Sequence, residues 1–398
     1  MTTLSQRINE QLDKNDVPFH SPAHAGKLNA RDLTELDGLD NLQYPEGVLK
    51  ESQEFIAQIF GAQSSFLLVN GASVGMQAAC IALQIYLNSI NDKRPVLVAR
   101  NVHKSVIAGI ILAGLTIEWF EPEWNEELGI YTVINRHCEE LATKQSNAKY
   151  SGIILTNPTY EGFSTSLDCR ASLAMTDGPI IVDEAHGAHY QFSNQLPATA
   201  LEQGADISVQ SWHKTLGSLG QTGVLHISKQ CKIPSQYIED SLRLLQTTSP
   251  SYILMESLTE TASLYADEGQ GIVEETIRIS KKIKLNPYQN NDPYRFIIQG
   301  PGFAIEELLE ENGILIEAAY ENFALLFINP GNDIADITKL NSCVAAIKGL
   351  CQNYQVTEIT KSQTLSKSNL REAYFEGDTE IYAPCPPGIA REIPGQKR

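Results

Sequence analysis

The chain has 398 residues, 42% of them hydrophobic and 20% charged, enough for a large core divided between two domains, since single cores rarely grow beyond roughly 250–300 residues. Its 48 Asp and Glu outweigh 30 Lys and Arg, and the formal net charge of −18 excludes the clustered basic face that a nucleic acid needs, while suiting a small cationic substrate. No apolar run reaches the roughly 20 residues a bilayer requires, so no membrane segment is expected, and seven scattered cysteines (80, 138, 169, 231, 343, 351 and 385) with no C-x-x-C pair read as reduced thiols of a cytoplasmic protein.

The amino terminus, MTTLSQRINEQLDKND, is polar and charged, unlike a secretory signal. Residues 1–30 are expected to form an arm outside the main sheet, followed by a large domain over 31–270 and a small one over 271–398. From about residue 50 to 227, short apolar runs alternate with helical patterns, the signature of an α/β fold with a parallel sheet covered by helices. Strands are predicted at 65–69, 96–99, 117–120, 152–156, 180–183, 207–210 and 224–227, several of them β-branched and apolar, as strands buried on both faces should be. Helices are predicted at 73–87, where Met76, Ala79, Cys80, Leu83 and Leu87 fall at helical spacing, and at 102–112. After residue 240 the pattern changes to a long helix over 250–266, then to acidic and lysine-rich segments and shorter αβ units through 344–350.

In open α/β sheets ligands bind beyond the carboxyl ends of the strands, and those ends are polar here. Strand 180–183 runs into Asp183-Glu184-Ala185-His186-Gly187-Ala188-His189, and strand 207–210 runs into Ser211-Trp212-His213-Lys214-Thr215. An aspartate delivered by one strand and a lysine delivered by the other suit pyridoxal phosphate: an amine to hold the aldehyde as a Schiff base, and a carboxylate that keeps the pyridine nitrogen protonated by favouring its charged form. The turn Asn70-Gly71-Ala72-Ser73 opens a helix, where backbone amides and the Ser73 hydroxyl can meet a phosphate. His103 lies between strand and helix, placed either to stack on a planar ring or simply to start the helix. Other readings compete: Asp183 as a helix cap, Trp212 as core, and His186, His189 and His213 as metal ligands, although H-x-x-H on a loop shows no obvious third partner.

These residues occur in stretches that together resemble the ornithine/lysine/arginine decarboxylase family. The resemblance runs through FHSPAH (19–24), residues 33–49, FGAQSSFLLVNGASVG (60–75), RNVHKS (100–105), DEAHGAHYQF (183–192), GADISVQSWHKTLGSLGQ (204–221) and LLQTTSPSYIL (244–254). It implies a fold type I, aminotransferase-like large domain with a mixed, mostly parallel sheet and a smaller carboxy-terminal α+β domain. It further implies Lys214 as the Schiff-base lysine, Asp183 as the pyridinium partner, and His103 and Ala185 on the two ring faces. The phosphate would lie against Gly71, Ala72, Ser73 and Ser211, with His186 contacting the cofactor and His213 beside the amine linkage. His103, His213 and Lys214 are thus the catalytic candidates. The implied reaction is decarboxylation of a basic L-amino acid, arginine or lysine preferred and ornithine possible, with His213 or Lys214 returning the proton. A homodimer or larger homo-oligomer is implied, its site at the interface and reached by Thr248 or Ser249 of the neighbouring subunit.

The chain departs from the family pattern at Ala72 in the phosphate turn, at Trp212 in place of threonine, at Ala23 and Ala25 near the start, and at Cys385, Arg391 and Glu392 in the closing proline-rich segment. Transamination or aldol cleavage would use the same lysine and aspartate. A non-catalytic binding relative is the reading from a different class, and the intact Asp183, His103 and Lys214 set argues against it.

Overall fold

The structure is a computed structural model that describes residues 3–132, 149–165, 176–359 and 370–375. The proline-rich segment at 384–392 and Cys138, Cys169 and Cys385 lie outside the described residues. Seven strands form the main sheet: β1 (Ser64–Leu68), β2 (Val96–Ala99), β3 (Ile117–Phe120), β6 (Gly152–Thr156), β7 (Ile180–Asp183), β8 (Ile207–Gln210) and β9 (Gly223–Ile227), in the order β1-β9-β8-β7-β6-β2-β3. Two-residue strands β4 (Trp124–Asn125) and β5 (Ile130–Tyr131) make a small ribbon in between. The pairings β3-β2, β2-β6, β6-β7 and β7-β8 are parallel, whereas β9 runs antiparallel to both β8 and β1. Every residue of β2, β7, β8 and β9 is buried; β2 and most of β7 therefore read as apolar runs rather than as alternation, while Ser208, Gln210 and His226 in β8 and β9 are buried polar groups with internal partners.

Helices α1 (Leu4–Asp13), α2 (Val48–Ile59), α3 (Gly71–Ser89) and α4 (Lys104–Ala113) cover the amino-terminal part of the sheet. The arm at the start contains α1, capped by a reciprocal Thr3–Gln6 box, and Leu4 and Ile8 bury one stripe against Leu49, Ile56 and Tyr252. Helix α3 lies so close to the sheet that a Cβ on Gly75 would sit 2.7 Å from both Leu68 Cδ1 and Val209 Cγ1. After β8 come the one-turn α5 (Trp212–Thr215), α6 (Ser235–Leu245) and the 29-residue α7 (Tyr252–Ser280).

The helix predicted over 250–266 therefore continues fourteen residues further, to Ser280. Asp267, Glu268 and two glycines break the local apolar pattern, but packing carries the helix through. Gly269 admits the Phe192 ring, and Val273, Thr276 and Ile277 return to the core. Beyond it, β10 (Arg295–Gln299), β12 (Phe323–Phe327) and β11 (Ala318–Ala319) form an antiparallel sheet in that order. Helices α8 (Gly302–Glu311), α9 (Ile334–Ser342) and α10 (Val344–Cys351) join it, with their own core of Ile298, Ile305, Leu309, Leu326, Ile337 and Ile347. A short α11 (Leu370–Phe375) ends the described chain. The architecture expected from the resemblance, a type I aminotransferase-like sheet and a smaller α+β unit, is the one found.

Candidate active site

Parallel pairing brings the ends of β7 and β8 side by side, Asp183 opposite Val209. Two segments 31 residues apart in sequence therefore deliver Asp183 and Lys214 to one place. Asp183 is buried, and its hydrogen bond among the described residues comes from the Ala185 N–H to Oδ1 at 3.1 Å. Burial raises its pKa, opposed by the charge of Lys214 and by the Ala185 amide. No helix starts at Asp183: a 3₁₀ turn, Ala188–Phe192, begins later with Gly187 at its cap, so the helix-cap reading of Asp183 fails.

Lys214 lies on α5, and its Nζ is 2.9 Å from His186 Nε2. Its charge also bears on Asp183, His103 and His213, so these side chains share one site. His103 caps α4, its Nδ1 accepting from the Ser105 N–H at 3.1 Å, and burial followed by the charges of Lys214 and Lys104 brings its pKa down to about 4. The helix-start reading of His103 holds, and its ring stays neutral. His213 donates from Nδ1 to the Thr222 carbonyl at 2.8 Å, and burial is the main cause of its lowered pKa.

The Asn70 side chain makes no capping bond to α3 and instead accepts from the Thr247 N–H at 3.2 Å. The first amides of α3 thus lack a side-chain cap. Gly71 takes a left-handed φ of +74° and commits its own N–H to the Gln221 carbonyl, so of the expected phosphate residues Gly71 supplies the turn and its amide is already used within the chain. Ser211, at the start of α5, is buried and makes no capping bond. Trp212 turns away into the core. It is 1% exposed, donates to Gln210 Oε1 at 3.0 Å and packs on Phe60, so its bulk does not fill the site.

Two arrangements escaped the sequence reading. Glu184, the neighbour of Asp183, is fully buried with its pKa raised to about 7 by burial, against hydrogen bonds from Ser208, Gln210 and the Ala200 amide. It anchors a polar network beneath the strand ends rather than facing outward. Arg295, at the start of β10, reaches in from the smaller unit: Nη2 is 3.1 Å from His186 Nδ1 and Cζ lies 3.7 Å from the Phe327 ring centroid. An arginine directly before the apolar run Phe296-Ile297-Ile298 was the available signal. His189 pairs with Asp292 at 3.0 Å and stacks on Tyr294. His186, His189 and His213 thus serve different partners, and among the described residues no group of three or more His, Cys, Asp or Glu is placed to hold a metal.

The family model for the major domain of Orn/Lys/Arg decarboxylases matches residues 24–298. An arginine decarboxylase of Bacillus cereus is 33% identical over 394 residues, covering 89% of this chain and 83% of its own. The uncharacterized protein YaaO of Bacillus subtilis is 33% identical over 370 residues, covering 83% and 74%. Among solved structures, the constitutive lysine decarboxylase of Escherichia coli superposes with a TM-score of 0.76 at 17% identity, over 100% of this chain and 75% of that one, a likeness of fold. The matched stretch contains the strand ends that bring Asp183 and Lys214 together, and the chain belongs to the Orn/Lys/Arg decarboxylase family.

Proposed function

We propose that this chain decarboxylates a basic L-amino acid, arginine or lysine ahead of ornithine, with pyridoxal phosphate held on Lys214. The observation that carries the reading is the convergence of Lys214, Asp183 and His103 at the ends of β7, β8 and β2. The donor set suits the cofactor: an amine, a buried carboxylate with acceptor capacity left for a protonated ring nitrogen, a neutral flat ring, and helix α3 opening without a side-chain cap. Family membership and the arginine and lysine decarboxylases among the relatives support the reaction.

Bound there, the cofactor supplies the electron sink that weakens the bond between the substrate's α-carbon and its carboxylate. Lys214 would supply the amine that holds it, and Asp183 would keep the ring nitrogen protonated. Ala72, Ser73 and Ser211 would hold the phosphate, and His103 and Ala185 would flank the ring. His213, donating to Thr222 from Nδ1, presents Nε2 as an acceptor at neutral pH, so it takes up a proton before it can return one. The net charge of −18 favours approach of a cationic substrate.

We also infer a homodimer in the cytoplasm. Exposed Leu244, three residues before the 247–249 turn, supports an interface there, and no helix among the described residues is long and apolar enough to cross a membrane. The deciding experiment supplies pyridoxal phosphate with arginine, lysine or ornithine in separate reactions and measures CO₂ and amine. Release from one substrate sets the specificity; cofactor absorbance without CO₂ would transfer the site to transamination or to a binding role.

A further inference from the structure

Lys214, His186 and Arg295 form a row: Lys214 Nζ lies 2.9 Å from His186 Nε2, and Arg295 Nη2 lies 3.1 Å from His186 Nδ1. His186 is 5% exposed and Arg295 1%, so water does not readily substitute for either contact. A guanidinium can only donate hydrogen bonds, and a neutral imidazole has one donor and one acceptor nitrogen. With Arg295 donating, Nδ1 must be the acceptor, and the ring proton therefore sits on Nε2. That proton points at Lys214 Nζ, which can accept it only through the lone pair of an uncharged amine.

We propose that Arg295 is a positioning residue that fixes His186 as its Nε2–H tautomer and thereby holds Lys214 as the neutral amine able to attack an aldehyde. The inference rests on the reading of Lys214 as the cofactor amine, and it extends that reading from the main sheet to the first residue of β10. An ammonium at Lys214 would direct a hydrogen at the one on Nε2, so it gives up a proton to solvent when the row closes.

Other groups around the row act on the same equilibrium. Asp183, at the end of β7, favours the ammonium, while His103 at the start of α4 and His213 on α5 are kept neutral mainly by burial. Tyr160, in the loop after β6, meets His186 edge-on with ring centroids 5.0 Å apart and donates its hydroxyl to Glu317. Asp292, which bonds His189, adds an attractive charge near Arg295. Burial, followed by the positive charge of Arg295, keeps the His186 ring from protonating even with Lys214 uncharged.

The test uses the full chain freed of pyridoxal phosphate, with nitrogen-15 in its histidines. In the wild type, His186 should show an unprotonated Nδ1 and a protonated Nε2. In Arg295→Met the tautomer should reverse or become mixed, and the pH midpoint for acetic-anhydride labelling of Lys214 should rise by about one unit, a tenfold loss of free amine. Arg295→Lys, which keeps a donor and a charge, should preserve both readouts. A protonated Nδ1 in the wild type overturns the proposal, as does a shifted midpoint with an unchanged tautomer, which would reduce Arg295 to a bare charge. If Arg295→Met does not fold, the wild-type spectrum and Arg295→Lys decide alone. None of these readouts requires turnover, so their failure is distinguishable from a failure of the decarboxylase reading, which would appear as no CO₂ from arginine, lysine or ornithine in the wild type.

Discussion

Asp183 and His226 illustrate how burial sets the chemistry of single residues in this protein. Asp183 is a buried carboxylate with one backbone donor, so a cationic partner would relieve a real electrostatic cost. Replacing it with Asn should leave some cofactor uptake but lower the turnover number by about 10²-fold or more, in line with the loss of a charge partner worth a few kcal/mol; an unchanged rate in steady-state assays would remove its assigned role. Lys214→Ala should lose cofactor absorbance and CO₂ release together. His226 accepts from Ser65 at 2.7 Å and donates to Gln210 at 3.1 Å, and burial brings its pKa down to about 3. A group with a depressed folded pKa contributes stability that is present above its unfolded value near 6.5 and lost as pH falls toward 3. Urea unfolding at a series of pH values should show stability dropping by up to about 1.4 kcal/mol per pH unit from this residue across that window. His226→Phe should flatten that slope while lowering stability at neutral pH, because Ser65 and Gln210 lose their partner. At this scale Lys214, Asp183 and His103 were legible because each sits at or just after the end of a strand, whereas the partners of Glu184 and the reach of Arg295 join residues far apart in sequence.

Between elements, close approach matters more than propensity. Gly75 lets α3 rest on β1 and β8, and Gly75→Ala would place a methyl group 2.7 Å from carbons on both. Thermal unfolding should show a loss of about 1–3 kcal/mol from overpacking, and cofactor affinity should fall with it because the same helix starts at Ala72 and Ser73. The seven main-sheet strands were read within one residue at either end, since strands buried on both faces are rich in apolar and β-branched residues, whereas the short strands β4 and β5 and those of the smaller sheet were not placed. Helix α7 was read too short because the residues 267–271 look like a break locally, and only the Phe192 ring seated at Gly269 shows why the helix passes through them.

Across the whole molecule, the smaller unit contributes directly to the site. Asp292 binds His189 at 3.0 Å, both fully buried, and accepts from the Tyr294 N–H one residue before Arg295. Asp292→Ala should therefore destabilise the fold by about 1–3 kcal/mol, the usual cost of leaving a buried polar group without its partner, and loosen the contact between Arg295 and His186. Urea denaturation with histidine NMR on the same variant measures both effects. The sequence alone determined the α/β class, the order of the main-sheet strands along the chain, the family resemblance, and the aspartate and lysine of the candidate site, because strand burial and strand-end chemistry are local properties. Only the tertiary structure decided that β9 runs antiparallel, that Trp212 faces the core, that Gly71 spends its N–H on Gln221, and that Arg295 meets His186. Each of those outcomes depends on which distant residue fills the space opposite, and linear spacing does not carry that information.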